Sequence, residues 1–188
     1  MIIRLAEGTL QTRFGTFVEI LYYDGQKEII AIVMGDIARR ENVLCRVHSH
    51  CISGHVFNSV QCDCREQMEM AQRLIQQAGS GVIIWLDQEG KNNGHLALLQ
   101  SRKLKEDGLS QAEAYVKLGY SADARSYVRA AEILHELDVR SITLMTNNPE
   151  KVSQLSNDGL VIAGIQPLLQ WKLQGYGNNT QNQPESDA

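Results

Sequence analysis

The stretch REQMEMAQRLIQQAGSGVIIWL, residues 65–86, changes its hydrophobic period halfway, and this change indicates the fold class. In its first part the apolar residues recur at helical spacing on one face, and Gly79 is placed to end the helix. The run GVIIWL, residues 81–86, is short, continuous and apolar, which is typical of a buried strand. A helix that leads directly into a buried strand is a unit of domains in which helices pack against a sheet.

The residues before this stretch predict strands. Their β-branched and aromatic runs are broken by the polar segments DGQK and RREN, which read as turns. The three predicted strands are residues 12–23, 27–36 and 42–48. The N-terminal part of the chain is therefore predicted to be rich in strands.

The residues after it alternate between helical and strand patterns. Helices are predicted at 96–107, 110–118 and 124–138, and a short helix begins near Pro149, while strands are predicted at 140–145 and near 160–165. Together these patterns predict an α+β (mixed α/β) fold in a single domain, residues 1–169. The polar, Asn- and Gln-rich tail, residues 170–188, has little to bury and is expected to be disordered.

Composition narrows the class of protein. The chain has 188 residues, a hydrophobic fraction of 43%, a charged fraction of 21% and a net charge of -4, so it lacks the overall basic field of a nucleic-acid binder. The N-terminus shows no signal-peptide pattern and no apolar run is long enough to span a membrane. Four cysteines crowded into residues 45–64 do not resemble a secreted disulfide framework. We therefore expect a cytoplasmic protein.

Three of the cysteines predict a metal site. Cys51, Cys62 and Cys64 stand at C-x10-C-x-C spacing. Thiolates suit zinc, and three protein ligands plus a water form the usual arrangement of a catalytic zinc. Free buried thiols and redox chemistry are the alternatives. A fourth ligand would instead close the site, and the candidates for it are Cys45, His48, His50 and His55. Cys45 lies inside the apolar run VLCRV, which favours a core position.

The motifs around these cysteines resemble the GTP cyclohydrolase II family. The matching segments are RVHSHC, CDC, DQEGKNNGH, SADAR and TNNPEK, which follow one another in the family's order. The resemblance implies a zinc hydrolase of riboflavin biosynthesis that opens the imidazole ring of GTP by water attack at C8. A second hydrolysis then releases formate, and pyrophosphate leaves from the triphosphate. The resemblance also implies a homodimer.

The resemblance assigns roles to individual residues. It implies that Cys51, Cys62 and Cys64 hold one zinc ion per chain. It implies that Arg125 acts at the α-phosphate, as a nucleophile or a charge clamp, and that Asp123 is its proton acceptor. Without the other motifs, these two residues would read as a solvated charge pair at a helix start or turn.

A larger set is implied to surround the nucleotide. It comprises Arg46, Val47, His48, Ser49, His50, Gln67, Glu89, Gly90, Lys91, Thr146 and Lys151. Glu89 could accept hydrogen bonds from the N1–H and the exocyclic amine of guanine. Arginine offers a planar fork for phosphate oxygens, and Mg²⁺ is expected to share the charge of the phosphates.

The sequence also departs from the family pattern. His50 replaces Glu, His55 replaces Asp, Asp87 replaces a basic residue, Lys91 replaces Arg, Arg102 replaces a catalytic Tyr and Gln111 replaces Thr. Loss of the tyrosine could stop the reaction at a formamidopyrimidine nucleotide, or the pocket could accept another nucleotide. A further alternative is a zinc site closed by His50 or His55, which would make the protein a non-catalytic nucleotide binder.

Overall fold

One seven-stranded mixed sheet forms the framework of the computed structural model, which describes residues 1–168. The strands are β1 (Ile3–Thr12), β2 (Gly15–Tyr23), β3 (Glu28–Met34), β4 (Val43–Ser49), β5 (Gly81–Leu86), β6 (Ile142–Met145) and β7 (Ile162–Gln166). Their order across the sheet is β1-β2-β3-β5-β4-β6-β7. In the half of the sheet with the order β1-β2-β3-β5, each strand is antiparallel to its neighbours. In the other half, with the order β5-β4-β6-β7, neighbouring strands are parallel.

Helices cover both faces of this sheet. They are α1 (Ile52–His55), α2 (Cys64–Ala78), α3 (Gly94–Glu106), α4 (Gln111–Lys117), α5 (Val128–Glu136) and α6 (Pro149–Asn157). On one face, α5 and α6 bury Leu134 and Leu155 in the larger core. On the other face, α2 buries Ala71 and Ile75 against Ile83 of β5. Because β5 is covered on both faces, it reads as a continuous apolar run rather than as an alternating one.

The order of the parallel strands places one crevice at their carboxyl ends. From β4 the chain passes through α1 and α2 to β5 on one side, and it then reaches β6 on the other side of β4. Such a reversal of strand order is a topological switch point, where α/β sheets bind ligands. The segments beginning at His50, Asp87 and Thr146 follow these three strands and therefore meet at this edge.

The predicted mixed α/β class is confirmed, and three local predictions were incomplete. The sequence patterns did not indicate β1 or α1. The helix predicted for 124–138 begins only at Val128, because the preceding residues form an irregular segment. Strand β1 gives a weak signal because it lies at the sheet edge with Ile3 and Leu5 exposed. The predicted tail, residues 170–188, lies outside the described residues.

Within residues 1–168, no helix combines the length and the apolar character needed to cross a membrane.

Candidate active site

Three cysteine sulfurs form a compact group at the switch point. Cys51 follows β4, and Cys64 is the first residue of α2. The ligand atoms of Cys51, Cys62 and Cys64 all lie within 4.8 Å of one another, and Sγ of Cys51 is 3.6 Å from Sγ of Cys62. In a tetrahedral zinc site with Zn–S bonds of about 2.3 Å, sulfurs are about 3.8 Å apart. The spacing of the group therefore fits zinc, and no imidazole of the described chain belongs to it.

The three neighbouring thiols change one another's pKa. Hydrogen bonds from Cys51 and Cys64 lower the pKa of Cys62, whereas contacts with Cys51 and Cys62, together with burial, raise the pKa of Cys64. Three neighbouring thiolates repel one another, so all three can ionise together only when a cation balances their charge.

Gly54 of α1 leaves room for the sulfurs. A Cβ atom at this position would lie 2.8 Å from Sγ of Cys62 and 3.5 Å from Sγ of Cys51. The helix can therefore approach the cysteines this closely only with glycine here. The residues present thus fit the zinc ion that the thiolate ligands predict.

A cavity of about 220 Å³ opens beside the sulfurs and is called the cysteine cavity below. The side chains that line it come from the end of β4 and the segment after it, the start of α2, the loop after β5, helices α3 and α4, and the segment before α5. Those used below are Ser49, His50, Cys51, Cys62, Cys64, Gln88, Glu89, Gly90, Lys91, Arg102, Gln111, Tyr115 and Arg125. The sequence analysis did not identify Gln88 or Tyr115 as part of the site.

Glu89 lines the cysteine cavity and binds the backbone next to Cys51. One carboxylate oxygen accepts a hydrogen bond from the backbone N–H of Ile52 at 2.8 Å, and the other accepts one from Gly90 N–H at 3.2 Å. Ile52 directly follows Cys51, so this contact positions the first cysteine. Recognition of guanine by Glu89, as the sequence predicts, would have to share the carboxylate with these two N–H groups.

The loop after β5 has an unusual backbone. Gly90, Lys91 and Asn92 all adopt positive φ, at 59°, 54° and 64°. This conformation costs free energy for a residue with a side chain, and such residues cluster at functional sites. The loop is tied to the segment before α5, since Ala124 N–H donates to Lys91 O and the Asn92 side chain donates to Ala124 O, both at 3.0 Å.

That segment presents Asp123 and Arg125. The Arg125 guanidinium forms a fork on the Asp123 carboxylate, with Nε at 2.9 Å from Oδ1, and both side chains are about four-fifths buried. Burial opposes ionisation of Asp123, but the hydrogen bonds from Arg125 outweigh it and lower the pKa. The pair is therefore ionised at neutral pH and is held rigidly at the cavity edge.

A second, larger cavity of about 670 Å³ lies next to the first and is called the cationic cavity below. Its polar lining contains six of the predicted nucleotide and catalytic residues besides Asp123. They are Arg46, Gln67, Lys91, Arg125, Thr146 and Lys151. Lys91 and Arg125 also line the cysteine cavity, so the two cavities are adjacent at these residues.

Two of these cations are buried. Arg46 is 6% exposed and donates to Met145 O at 2.8 Å and to the Gln67 side chain, while Lys151 is 4% exposed and donates to Val47 O at 2.7 Å. Burial lowers the pKa of Arg46 to about 10, and burial with the nearby Arg46 and Arg125 lowers that of Lys151. An anion in the cationic cavity would relieve this excess of positive charge.

Not every predicted residue reaches a cavity. Val47 is fully buried in the core, and His48 is buried with its Nε2 at 3.1 Å from Nε2 of His55. Neither lines the cysteine cavity or the cationic cavity. Their direct contact with a nucleotide is therefore not supported by the geometry. Cys45 lies in the core, as its apolar sequence context predicts.

Two departures from the family pattern contact each other. Ser49 of β4 pairs with Leu86 of β5, so His50 and Asp87 are the next residues on adjacent parallel strands. Nδ1 of His50 lies 3.2 Å from Oδ1 of Asp87. The family pattern has an acid at the first position and a base at the second, and this chain has the reverse.

Comparison with known proteins agrees with the site. A mixed sheet that carries three clustered thiols and a cation-lined cavity at its switch point has the groups that a metal ion and an anionic ligand require. The sequence profile of the GTP cyclohydrolase II family matches residues 3–167, and the chain belongs to this family. The predicted resemblance, and with it the assignment to a family of hydrolases, is thereby confirmed.

The chain is similar to longer proteins. It is 44% identical over 170 residues to the riboflavin biosynthesis protein RibBA of Bacillus mycoides, covering 89% of this chain and 43% of the relative. RibBA of Bacillus cytotoxicus is 44% identical over 164 residues, covering 86% and 41%. The chain thus spans about two fifths of these relatives.

A solved structure shares the fold. It is RibBX, a two-domain 3,4-dihydroxy-2-butanone 4-phosphate synthase from A. baumannii, with a TM-score of 0.51 and 18% identity. The match covers 90% of this chain and 40% of that one.

Proposed function

We propose that this chain binds one zinc ion through Cys51, Cys62 and Cys64 and opens the imidazole ring of GTP at C8, with release of formate and pyrophosphate. The observation that carries this proposal is the adjacency of the cysteine cavity and the cationic cavity at Lys91 and Arg125. The two cavities match the two parts of a purine nucleotide, because one cavity lies beside the thiols that would act on the ring and the other is lined by cations that would bind the phosphates.

The cavities suggest how the nucleotide is divided. The ring occupies the cysteine cavity, and the triphosphate occupies the cationic cavity, where Arg46, Lys151 and Thr146 supply cations and a hydroxyl. Mg²⁺ bound to the phosphates would share their charge. Arg125 stands between the two parts, at the place where the α-phosphate follows the nucleoside.

The reaction needs an activated water and control of the phosphates. A zinc ion held by Cys51, Cys62 and Cys64 would act as a Lewis acid that lowers the pKa of a bound water and so would supply the hydroxide for attack on the ring. The remaining work falls to the chain itself. Arg125 binds the α-phosphate as a nucleophile or a charge clamp, and the ionised Asp123 orients its guanidinium and can accept a proton.

The departures from the family pattern that line the cysteine cavity support a second candidate function. Arg102 and Gln111, which replace a tyrosine and a threonine of the family pattern, both line the cysteine cavity. Arg102 donates to Oγ of Ser53 at 3.2 Å, and Gln111 donates to Oγ of Ser101 at 2.7 Å. A changed lining of the ring pocket favours either a reaction that stops at the formamidopyrimidine nucleotide or a different nucleotide.

A closed zinc site is less well supported. His50 is engaged by Asp87, and Nε2 of His55 faces His48 and the carbonyl of Cys64 at 3.3 Å. Neither imidazole is directed as a fourth ligand in this arrangement.

A mass-spectrometric time course tests these functions. The zinc-loaded protein is incubated with Mg²⁺ and GTP, and in parallel with ATP, ITP and XTP. Formate and pyrophosphate from GTP support the proposal. A product one water heavier than GTP indicates a single hydrolysis, and turnover of another nucleotide alone indicates a changed substrate. Bound zinc without turnover of any nucleotide would contradict an enzymatic function.

Three further features, namely the pathway, the oligomeric state and the location, are proposed from the family and the composition. The named relatives are riboflavin biosynthesis proteins, and we propose the same pathway for this chain. A homodimer and a cytoplasmic location remain predictions, which size-exclusion chromatography with light scattering and cell fractionation can test.

The contact between His50 and Asp87 predicts compensation on charge reversal. His50→Glu places two carboxylates together and lowers the melting temperature, and in the double variant with Asp87→Arg the total loss is smaller than the sum of the two single losses. Since both side chains are partly exposed, the expected coupling is only about 0.5 kcal/mol. Thermal unfolding of both single variants, the double variant and the parent protein measures it.

Lys27 lies 3.9 Å from the Asp87 carboxylate and would repel a new arginine, but it does so with either residue at position 50 and cancels in the four-protein comparison. Strictly additive effects would show that the two departures are independent.

A further inference from the structure

The hydroxyl of Tyr115 is buried at the wall of the cysteine cavity, and residues 1–168 offer it no hydrogen-bond partner. Tyr115 lies on α4, which begins at a capping box formed by Ser110 and Glu113 and is therefore firmly placed. The residue is 0% exposed, and its hydroxyl has no hydrogen-bond partner in the described part of the chain. Leaving a buried hydroxyl unpaired costs free energy, so such groups require an explanation.

The same cavity collects other unpaired polar atoms. Five buried side-chain oxygens lack a partner among residues 1–168, and three of their residues, Ser49, Gln88 and Tyr115, line the cysteine cavity. The Tyr115 hydroxyl packs closely against the loop after β5 because residue 90 is glycine. A Cβ atom at this position would lie only 3.1 Å from the hydroxyl. This concentration indicates that a polar ligand satisfies these atoms when it binds.

We propose that Tyr115 donates a hydrogen bond to the ring of the ligand that reacts in the cysteine cavity. The inference rests on the proposed function for the identity of the reaction, and it adds a residue to which the family pattern and the motifs assign no role. Arg102, at the position of the family's tyrosine, lines the same cavity. The chain thus carries its phenol on α4 instead of α3.

The phenol is in the donor state at neutral pH. Burial, with the nearby carboxylates of Glu89 and Asp123, raises the pKa of Tyr115 to about 12. A neutral phenol donates to an oxygen or nitrogen that becomes more negative as water adds to the ring. Such a bond strengthens during the reaction, so it affects kcat more than KM.

Tyr115→Phe tests the proposal because it removes only the hydroxyl. We expect kcat to fall about 10-fold, the loss expected for one neutral hydrogen bond, while KM changes less than about 3-fold. Zinc content should be unchanged, and the melting temperature of the ligand-free protein should not fall, since no intramolecular hydrogen bond is lost and the cost of burying an unpaired hydroxyl is removed. The matched control is Tyr120→Phe, because the Tyr120 hydroxyl binds Gln100 at 2.9 Å and does not line the cavity.

The outcomes separate this inference from the proposed function. Each protein is assayed on the nucleotide that the parent turns over. Turnover of GTP by the parent with equal kcat for Tyr115→Phe, or an equal loss in Tyr120→Phe, would overturn the role of Tyr115 alone. If the parent acts on a different nucleotide, a selective loss in Tyr115→Phe still supports the role. A parent protein inactive on every nucleotide would overturn both proposals.

Discussion

Cys51→Ser is expected to lower both zinc affinity and turnover more than about 100-fold. Replacing even an outer partner of a metal ligand costs 10- to 100-fold, and serine removes a thiolate from the first coordination shell. The substitution should not disturb the backbone. Cys51 is the N-cap residue of α1 and makes no side-chain cap hydrogen bond, a position that serine favours. Zinc content and competition with a chelator measure the affinity, and formate release measures the turnover.

Cys45→Ala is the matched control for this experiment. Cys45 is fully buried in β4, and its thiol lies outside the sulfur group; burial raises its pKa to about 12. We expect this variant to keep its zinc and its turnover and to lose only some stability, from the small cavity left in the core. Retention of zinc by Cys51→Ser, or loss of zinc by Cys45→Ala, would contradict the assignment of the ligands.

Patterns of hydrophobicity predicted the fold where strands are buried on both faces. β5 lies between helices on both sides, so nearly all of its residues are apolar and the run is unmistakable. β1 has a neighbour on one side only and exposes most of its side chains, so its sequence resembles a loop. Residues 124–127 were predicted as helix because Tyr127 continues the apolar face of α5. There the fork between Asp123 and Arg125 and the backbone bonds to the loop after β5 favour an irregular chain.

The sequence predicted which segments form the site, but it did not predict which of their side chains point into the cavities. Three of the motifs lie at the ends of the parallel strands β4, β5 and β6, and the strand order brings these three together. Alternation within β4 decides which side chains are available: Arg46 reaches a cavity, while Val47 enters the core. Sequence distance hides other contacts. His50 and Asp87 stand 37 residues apart in the sequence, and only the register of β4 and β5 places them side by side.

Tyr115 shows a further limit of sequence patterns. An aromatic residue on the buried face of a short helix reads as a core residue, and its ring is indeed fully buried. Whether its hydroxyl finds a partner depends on residues of the loop after β5 and of α3. The sequence pattern of α4 alone does not specify these neighbours. The unpaired atom becomes informative only after the cavity is known.

Arg125→Lys is expected to lower kcat about 1,000-fold while zinc content is unchanged. Lysine keeps the charge but cannot form the two parallel hydrogen bonds with which the guanidinium holds Asp123, and it cannot clamp a phosphate in a fixed plane. Loss of one such group in the transition state costs up to about 1,000-fold in kcat. Single-turnover formation of pyrophosphate measures the effect at the phosphates, separately from release of formate.

Arg129→Lys is the control, because Arg129 forms a comparable pair with Glu132 at 2.9 Å but lines neither cavity. Both side chains of this pair are about one third exposed and lie away from the cavities, so its loss should leave kcat and zinc content at the parent values. If Arg125→Lys slowed pyrophosphate formation no more than Arg129→Lys did, the fork on Asp123 would be a structural ion pair. The proposed reaction would then need another residue to act at the α-phosphate. Lys91, which also lines both cavities, would be the next residue to replace.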